Sequence, residues 1–201
     1  MATENLYVVK RTFVDPKKPT ASSFNIELPS TFTDLEAAKE YAKPLLANEG
    51  FDTEFFSEYD VKDGSKEWKH DDSIMVYAKG PAGELFKVEI DVVPNLLGLQ
   101  PDASGRVQQQ LYHVLQTDIE YDEDRSGSQR YTIVEGSYAT RESAREQALR
   151  ALLDADVKKE DFVEYDEYAD GKEGPFGEDV VVHAVKEGGQ NVLVSVISDH
   201  K

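Results

Sequence analysis

The stretch TEFFSEYDVKDGSKEWKHDD at residues 53–72 has a partner in KEDFVEYDEYADGKEGPFGED at residues 159–179. Both carry F-x-E-Y-D followed by an Asp-Gly pair. A motif written twice marks either a duplicated acid site or a duplicated module, and self-comparison separates the two. At an offset of 106, residues 34–88 lie over 140–194 without a gap, and 16 of those 55 positions are identical. Roughly three or four identities would arise from average composition. The likeness extends upstream with a small shift, LYVV at 6–9 over LYHV at 111–114. The chain therefore reads as a tandem duplication, and F-x-E-Y-D recurs because its surroundings do.

The joint is PNLLGLQPDASGRVQQQ, residues 94–110, where Pro, Gly, Ser and Gln replace the alternating pattern on either side. This divides the chain into a first repeat at 1–93, a linker at 94–110 and a second repeat at 111–201. Leu96, Leu97 and Leu99 suggest that the linker packs along a repeat rather than swinging free.

Each repeat shows one order of elements. YVVKRTFV and FNIEL read as strands, from β-branched and aromatic content and from alternation. The segment from Thr33 to Gly50 reads as a helix, capped by Thr33 or Asp34, with Leu35, Ala38, Ala42 and Leu46 on one face. Pro44 should kink its last turn or end it early. In the second repeat Thr140 caps a helix burying Ala144, Ala148, Leu149 and Leu152. A short E-Y-D strand, a hairpin turned at Asp63-Gly64 or Asp170-Gly171, and two apolar strands complete the unit. The expected fold is α+β: two β-β-α-(β)-β-β modules, each an antiparallel sheet with one helix on one face, related by approximate twofold symmetry.

Alternation also assigns faces. In FKVEIDV the inward set is Phe86, Val88, Ile90 and Val92, with Lys87, Glu89 and Asp91 in water. Ile74, Val76 and Ala78 should face the helix. Met75 and Tyr77, and in the second repeat Val181, His183 and Val185, should face away. Such half-apolar outer faces call for repeat-on-repeat packing or a ligand.

With 22 basic and 40 acidic residues the formal charge is −18, which repels nucleic acid and anionic membranes and excludes both as expected partners. The absence of cysteine removes disulfides, thiolate nucleophiles and cysteine-zinc sites. No segment has the apolar length of a signal peptide or a membrane span, so the chain reads as soluble and cytoplasmic. No nucleotide-binding or nucleophile-elbow string stands in a usable context, and no cofactor is expected.

Three constellations could carry chemistry. Glu58 and Asp60 flank Tyr59, and Glu164 and Asp166 flank Tyr165. In a strand each carboxylate pair shares a face, where repulsion could leave one protonated as a general acid. If the segment is extended, Phe56 anchors beneath the helix and Tyr59 covers the opposite face. His113 and His183 could pair as a metal site or proton shuttle if their strands are neighbours. Asp122, Asp124 and Ser126, before Gly127, match the opening half of a calcium loop, but position twelve is Ile133 where a bidentate Glu is required. The leading expectation is a non-enzymatic binding or interaction protein for a small molecule or protein. The alternatives are a small acid–base enzyme with its site between the repeats, and a calcium-binding module.

Overall fold

The computed structural model describes residues 4–17, 24–120, 130–169 and 174–199. The chain forms two compact units, with the main break between Gln109 and Gln110. In the first, β1 (Asn5–Val14), β2 (Phe24–Phe32), β3 (Glu58–Val61), β4 (Ile74–Lys79) and β5 (Leu85–Pro94) make an antiparallel sheet in the order β2-β1-β5-β4-β3. In the second, β6 (Tyr112–Ile119), β7 (Arg130–Tyr138), β8 (Glu164–Glu167), β9 (Val180–Val185) and β10 (Asn191–Ser198) take the order β7-β6-β10-β9-β8. The fold is mixed α+β, with two five-stranded sheets and few helices.

Helix α1 (Leu35–Ala42) starts where Asp34 Oδ1 accepts from the Ala37 amide at 2.8 Å, satisfying one of the amides a helix N-terminus leaves open. Its counterpart α3 (Arg141–Ala148) starts where Thr140 Oγ1 accepts from the Ser143 amide at 3.1 Å. Ala38 and Ala42, and Ala144 and Ala148, are fully buried, so each helix meets its sheet through its smallest side chains. A one-turn helix α2 (Leu45–Asn48) begins after Pro44. The proline is not what ends α1, because α3 ends at the equivalent residue without one.

Over α1 the sheet contributes Val9, Val76, Ala78, Phe86, Val88 and Ile90. Over α3 it contributes Val114, Val182, Val194 and Val196. The facing of the neighbouring strand differs from that expected. Between β4 and β5, Ile74 opposes Glu89 and Val76 opposes Val88, so Met75 is an extra residue: a β-bulge. The extra residue shifts parity. Met75, expected outside, is 4% exposed in the helix-side core, while Ile74 pairs with Glu89 on the other face. The same bulge recurs in β9, where Val194 opposes Val182 and Ser195 opposes Val180. Val181, also expected outside, packs in the α3 core.

Two further expectations on β5 are corrected. Val92 is 54% exposed instead of buried. Glu89 is buried, because Lys10 of β1, itself 1% exposed, places its ammonium 3.7 Å from Glu89 and 2.9 Å from Asp91. Burial still pushes the Glu89 carboxyl above its ordinary range, against the pull of Lys10.

The Asp63-Gly64 pair does not make a two-residue hairpin. Positive φ is confined to glycine among the described residues, so Asp63 cannot take the first position of such a turn. Asp63 instead accepts from the Ser65 amide at 2.8 Å, and residues 62–73 form a loop before β4. The tight turns lie between β4 and β5 and between β9 and β10, where Gly83 and Gly189 hold φ of +92° and +90°.

Linker residues join the first unit through backbone rather than leucines. The Val107 amide donates to Thr31 O at 2.8 Å and Thr33 donates to Gly105 O at 2.9 Å, whereas Leu96 is 80% exposed. No helix among the described residues is long and apolar enough to cross a membrane.

Candidate carboxylate and imidazole site

The E-Y-D segments form the short edge strands β3 and β8. Tyr59 pairs with Ala78 and Tyr165 with Ala184, so both tyrosines turn toward the helix-side cores. Tyr59 lies against Phe56, centroids 5.3 Å apart, rather than on the opposite face. The expected alternation fails because residues 53–55 form a 3₁₀ turn and the strand begins only at Glu58. Burial raises both tyrosine hydroxyls above their ordinary pKa.

Glu58 and Asp60 share the other face, and the 62–73 loop returns over them. Lys69 Nζ lies 2.7 Å from Glu58 Oε1 and 3.1 Å from Asp60 Oδ2, and His70 Nε2 lies 3.0 Å from Asp60 Oδ2. The hydrogen bond from His70, followed by that from Lys69, holds Asp60 below the usual carboxylate range. This is opposite to the raised value a general acid would need. The His70 ring stacks on Tyr77, centroids 4.1 Å apart, and Trp68 meets it edge-on at 4.9 Å. A hollow of about 320 Å³ beside this cluster is lined by Asp60, Asp63, Lys66, Trp68 and Lys69 among others.

The second unit builds a related cluster by another route. Glu164 and Asp166 are the counterparts of Glu58 and Asp60, and Asp166 opposes His183 across β8 and β9. His183 stands where the first unit has Tyr77, and Phe176 stands where it has His70. The two rings again lie together, centroids 4.5 Å apart. The aromatic pair is kept while the imidazole has moved from loop to strand. Lys69 is replaced by Pro175.

His183 is held from behind. Its Nε2 lies 2.7 Å from Asn191 Oδ1, and Asn191 Nδ2 donates to Gly189 O at 3.0 Å, which fixes the way the amide points. Its Nδ1 lies 4.0 Å from Glu164 Oε1 and 3.9 Å from Asp166 Oδ2, beyond hydrogen-bond reach. That buried nitrogen makes no hydrogen bond with any described residue. In each cluster the acid and imidazole ligand atoms lie within 4.8 Å of one another.

The remaining candidates disperse. His113 is fully buried and lies 2.9 Å from Ser137 Oγ through Nδ1. It is not beside His183: it opposes Ile197 on β10, while His183 opposes Leu193 on the same strand, and β10 separates β6 from β9. Two strand spacings and four residues put them on the order of 15 Å apart. Burial depresses His113 to about 4, so it is neutral at pH 7. Val185 flanks the site, opposite both Glu164 and Asn191. Asp122, Asp124 and Ser126 lie outside the described residues.

His70, Lys69 and Asn191 are the contributors that sequence reasoning passed over. In the sequence His70 stands in the charged run KHDD, and its role depends on that loop folding back. Comparisons with protein-family models, curated proteins and solved structures return no match.

Proposed function

We propose that the chain is a non-enzymatic binding protein, made by tandem duplication of a β-β-α-β-β-β module, whose second module receives a cationic group at Glu164, Asp166 and His183. The observation that carries this reading is the buried Nδ1 of His183, which has no hydrogen-bond partner among the described residues and faces two carboxylates. A nitrogen lone pair held toward anions is repelled unless a positive centre sits between them. In the first module the corresponding carboxylates are bridged by the ammonium of Lys69, so that cluster carries its own cation. The second module has proline at that position.

Support for the duplication comes from strand order, the matching bulges at Met75 and Val181, and the matching turns at Gly83 and Gly189. Binding is favoured over catalysis by exposure. Glu164 and Asp166 are 55% and 49% exposed on a four-residue edge strand, without the exclusion of water that strengthens charges in an active site.

The test is to follow the His183 ring and the Glu164 and Asp166 carboxylates by NMR while adding Zn²⁺, Ca²⁺ or butylammonium separately. A saturable response to any one, lost in a Glu164→Gln/Asp166→Asn double variant, is the expected result. Silence toward all three overturns the reading.

A further inference from the structure

We propose that the second module's cluster is a site for a divalent d-block cation of the zinc class, with His183 ligating through Nδ1 and Glu164 and Asp166 through one carboxylate oxygen each. This rests on the cation-site reading above and names the ion class.

The tautomer comes first. Asn191 spends its amide nitrogen on Gly189 O and so presents its oxygen to His183 Nε2, which must therefore carry the hydrogen. In the neutral ring this leaves Nδ1 as a bare lone pair. A carbonyl oxygen behind one imidazole nitrogen, fixing the tautomer and raising the basicity of the other, is the outer-shell arrangement that metal-bound histidines use. The side chain is 6% exposed and held by the sheet, Asn191 and Phe176, so the ligand atom is placed before any ion arrives.

The ion class follows from the donor set. Calcium and magnesium take oxygen ligands, and imidazole beside carboxylate suits zinc and its d-block neighbours. An ammonium group would meet the lone pair only through an N–H hydrogen bond, whereas a d-block ion bonds to it directly. In the first module Lys69 reaches Glu58 and Asp60, while His70 spends its Nε2 on Asp60. In the second module the buried lone pair supplies a third donor, of the kind a Lewis acid requires.

Distances are compatible with closure. Two ligands of a tetrahedral zinc at ~2.0–2.1 Å bonds lie about 3.3 Å apart. The present separations of 3.9 and 4.0 Å from Nδ1 need only rotation of the exposed Glu164 and Asp166 side chains. Three protein ligands would leave the fourth position to water or to a donor from a bound molecule.

The experiment is calorimetric titration of the whole chain, freed of metal by chelation, with Zn²⁺, Ca²⁺ and butylammonium, together with the absorption spectrum of the Co²⁺-loaded protein. Expected are a 1:1 Zn²⁺ complex and visible cobalt bands of low coordination number. Both should weaken at least tenfold in Glu164→Gln/Asp166→Asn and persist in Glu58→Gln/Asp60→Asn. Both pairs lie on short edge strands, Glu164 and Asp166 exposed and Glu58 and Asp60 part-buried, and circular dichroism checks that both variants fold. Binding of Ca²⁺ or butylammonium at the same residues without a Zn²⁺ preference overturns this inference and leaves the cation-site reading standing. Zn²⁺ binding that ignores the Glu164 and Asp166 changes overturns the inference, since the ion then sits elsewhere. No binding of any of the three overturns both.

Discussion

His70 lies nearly parallel to Tyr77, with ring centroids 4.1 Å apart and an interplanar angle of 17°. Its mirror in the second module is Phe176 against His183, at 4.5 Å. One imidazole thus sits on the outside of an aromatic pair in the first module and on the inside in the second. Inside, it is buried with a nitrogen turned to the acids. Outside, it shares the acids with Lys69.

Removing that lysine should open the first cluster. In Lys69→Ala, Glu58, Asp60 and His70 lose their internal cation and become a second acid–imidazole set. The expected calorimetric stoichiometry for Zn²⁺ rises from one to two per chain. A stoichiometry unchanged at one would show that Lys69 is not what keeps the first cluster closed.

Asn191 should act on the site without touching the ion. Replacing it by Leu, the residue at the equivalent position 85, removes the acceptor that fixes the His183 tautomer. Loss of such outer-shell partners typically costs about 10–100-fold in metal affinity. The expected signature is weakened Zn²⁺ binding with an unchanged circular dichroism spectrum, and equal affinity would remove Asn191 from the account.

His113 makes stability depend on pH. Its folded value of about 4 lies below the ordinary value of 6.5, so between these the unfolded chain binds more protons and stability falls as pH falls. The loss is on the order of 3 kcal/mol by pH 4. His113→Val, with the residue found at Val8, should flatten urea midpoints between pH 6.5 and 4 relative to the parent protein.

Lys10→Met should cost about 3–5 kcal/mol at pH 7, the usual penalty for stripping the partner from buried charge. Glu89 is already raised by burial, and without the ammonium it rises further. A carboxyl raised on folding destabilises at high pH and is relieved as pH drops and the proton binds. The penalty should therefore shrink toward pH 5, which denaturation at the two pH values would measure.

The bulge makes Met75 a core residue. Met75→Ala should cost about 2–5 kcal/mol, as for other buried methionines. Leu96→Ala, at an exposed linker position, should stay within about 0.5 kcal/mol. Equal effects in chemical denaturation would contradict the facing described for β4.

Much of this protein follows from its sequence alone. The self-similarity at an offset of 106, a cap at Thr33 or Asp34, the cap at Thr140, and the α+β class rest on local spacing, which a chain carries before it folds. Even the shared face of Glu58 and Asp60 is a matter of strand period. Tertiary structure decided the rest. One extra residue in β4 and in β9 reversed the facing of Met75 and Val181, because a bulge exists only against a paired strand. Strand order separated His113 from His183, and register brought His183 opposite Asp166. A loop folding back gave Glu58 and Asp60 to Lys69. Strand period places a side chain on a face, but which charges meet across that face depends on pairing between segments distant in the chain.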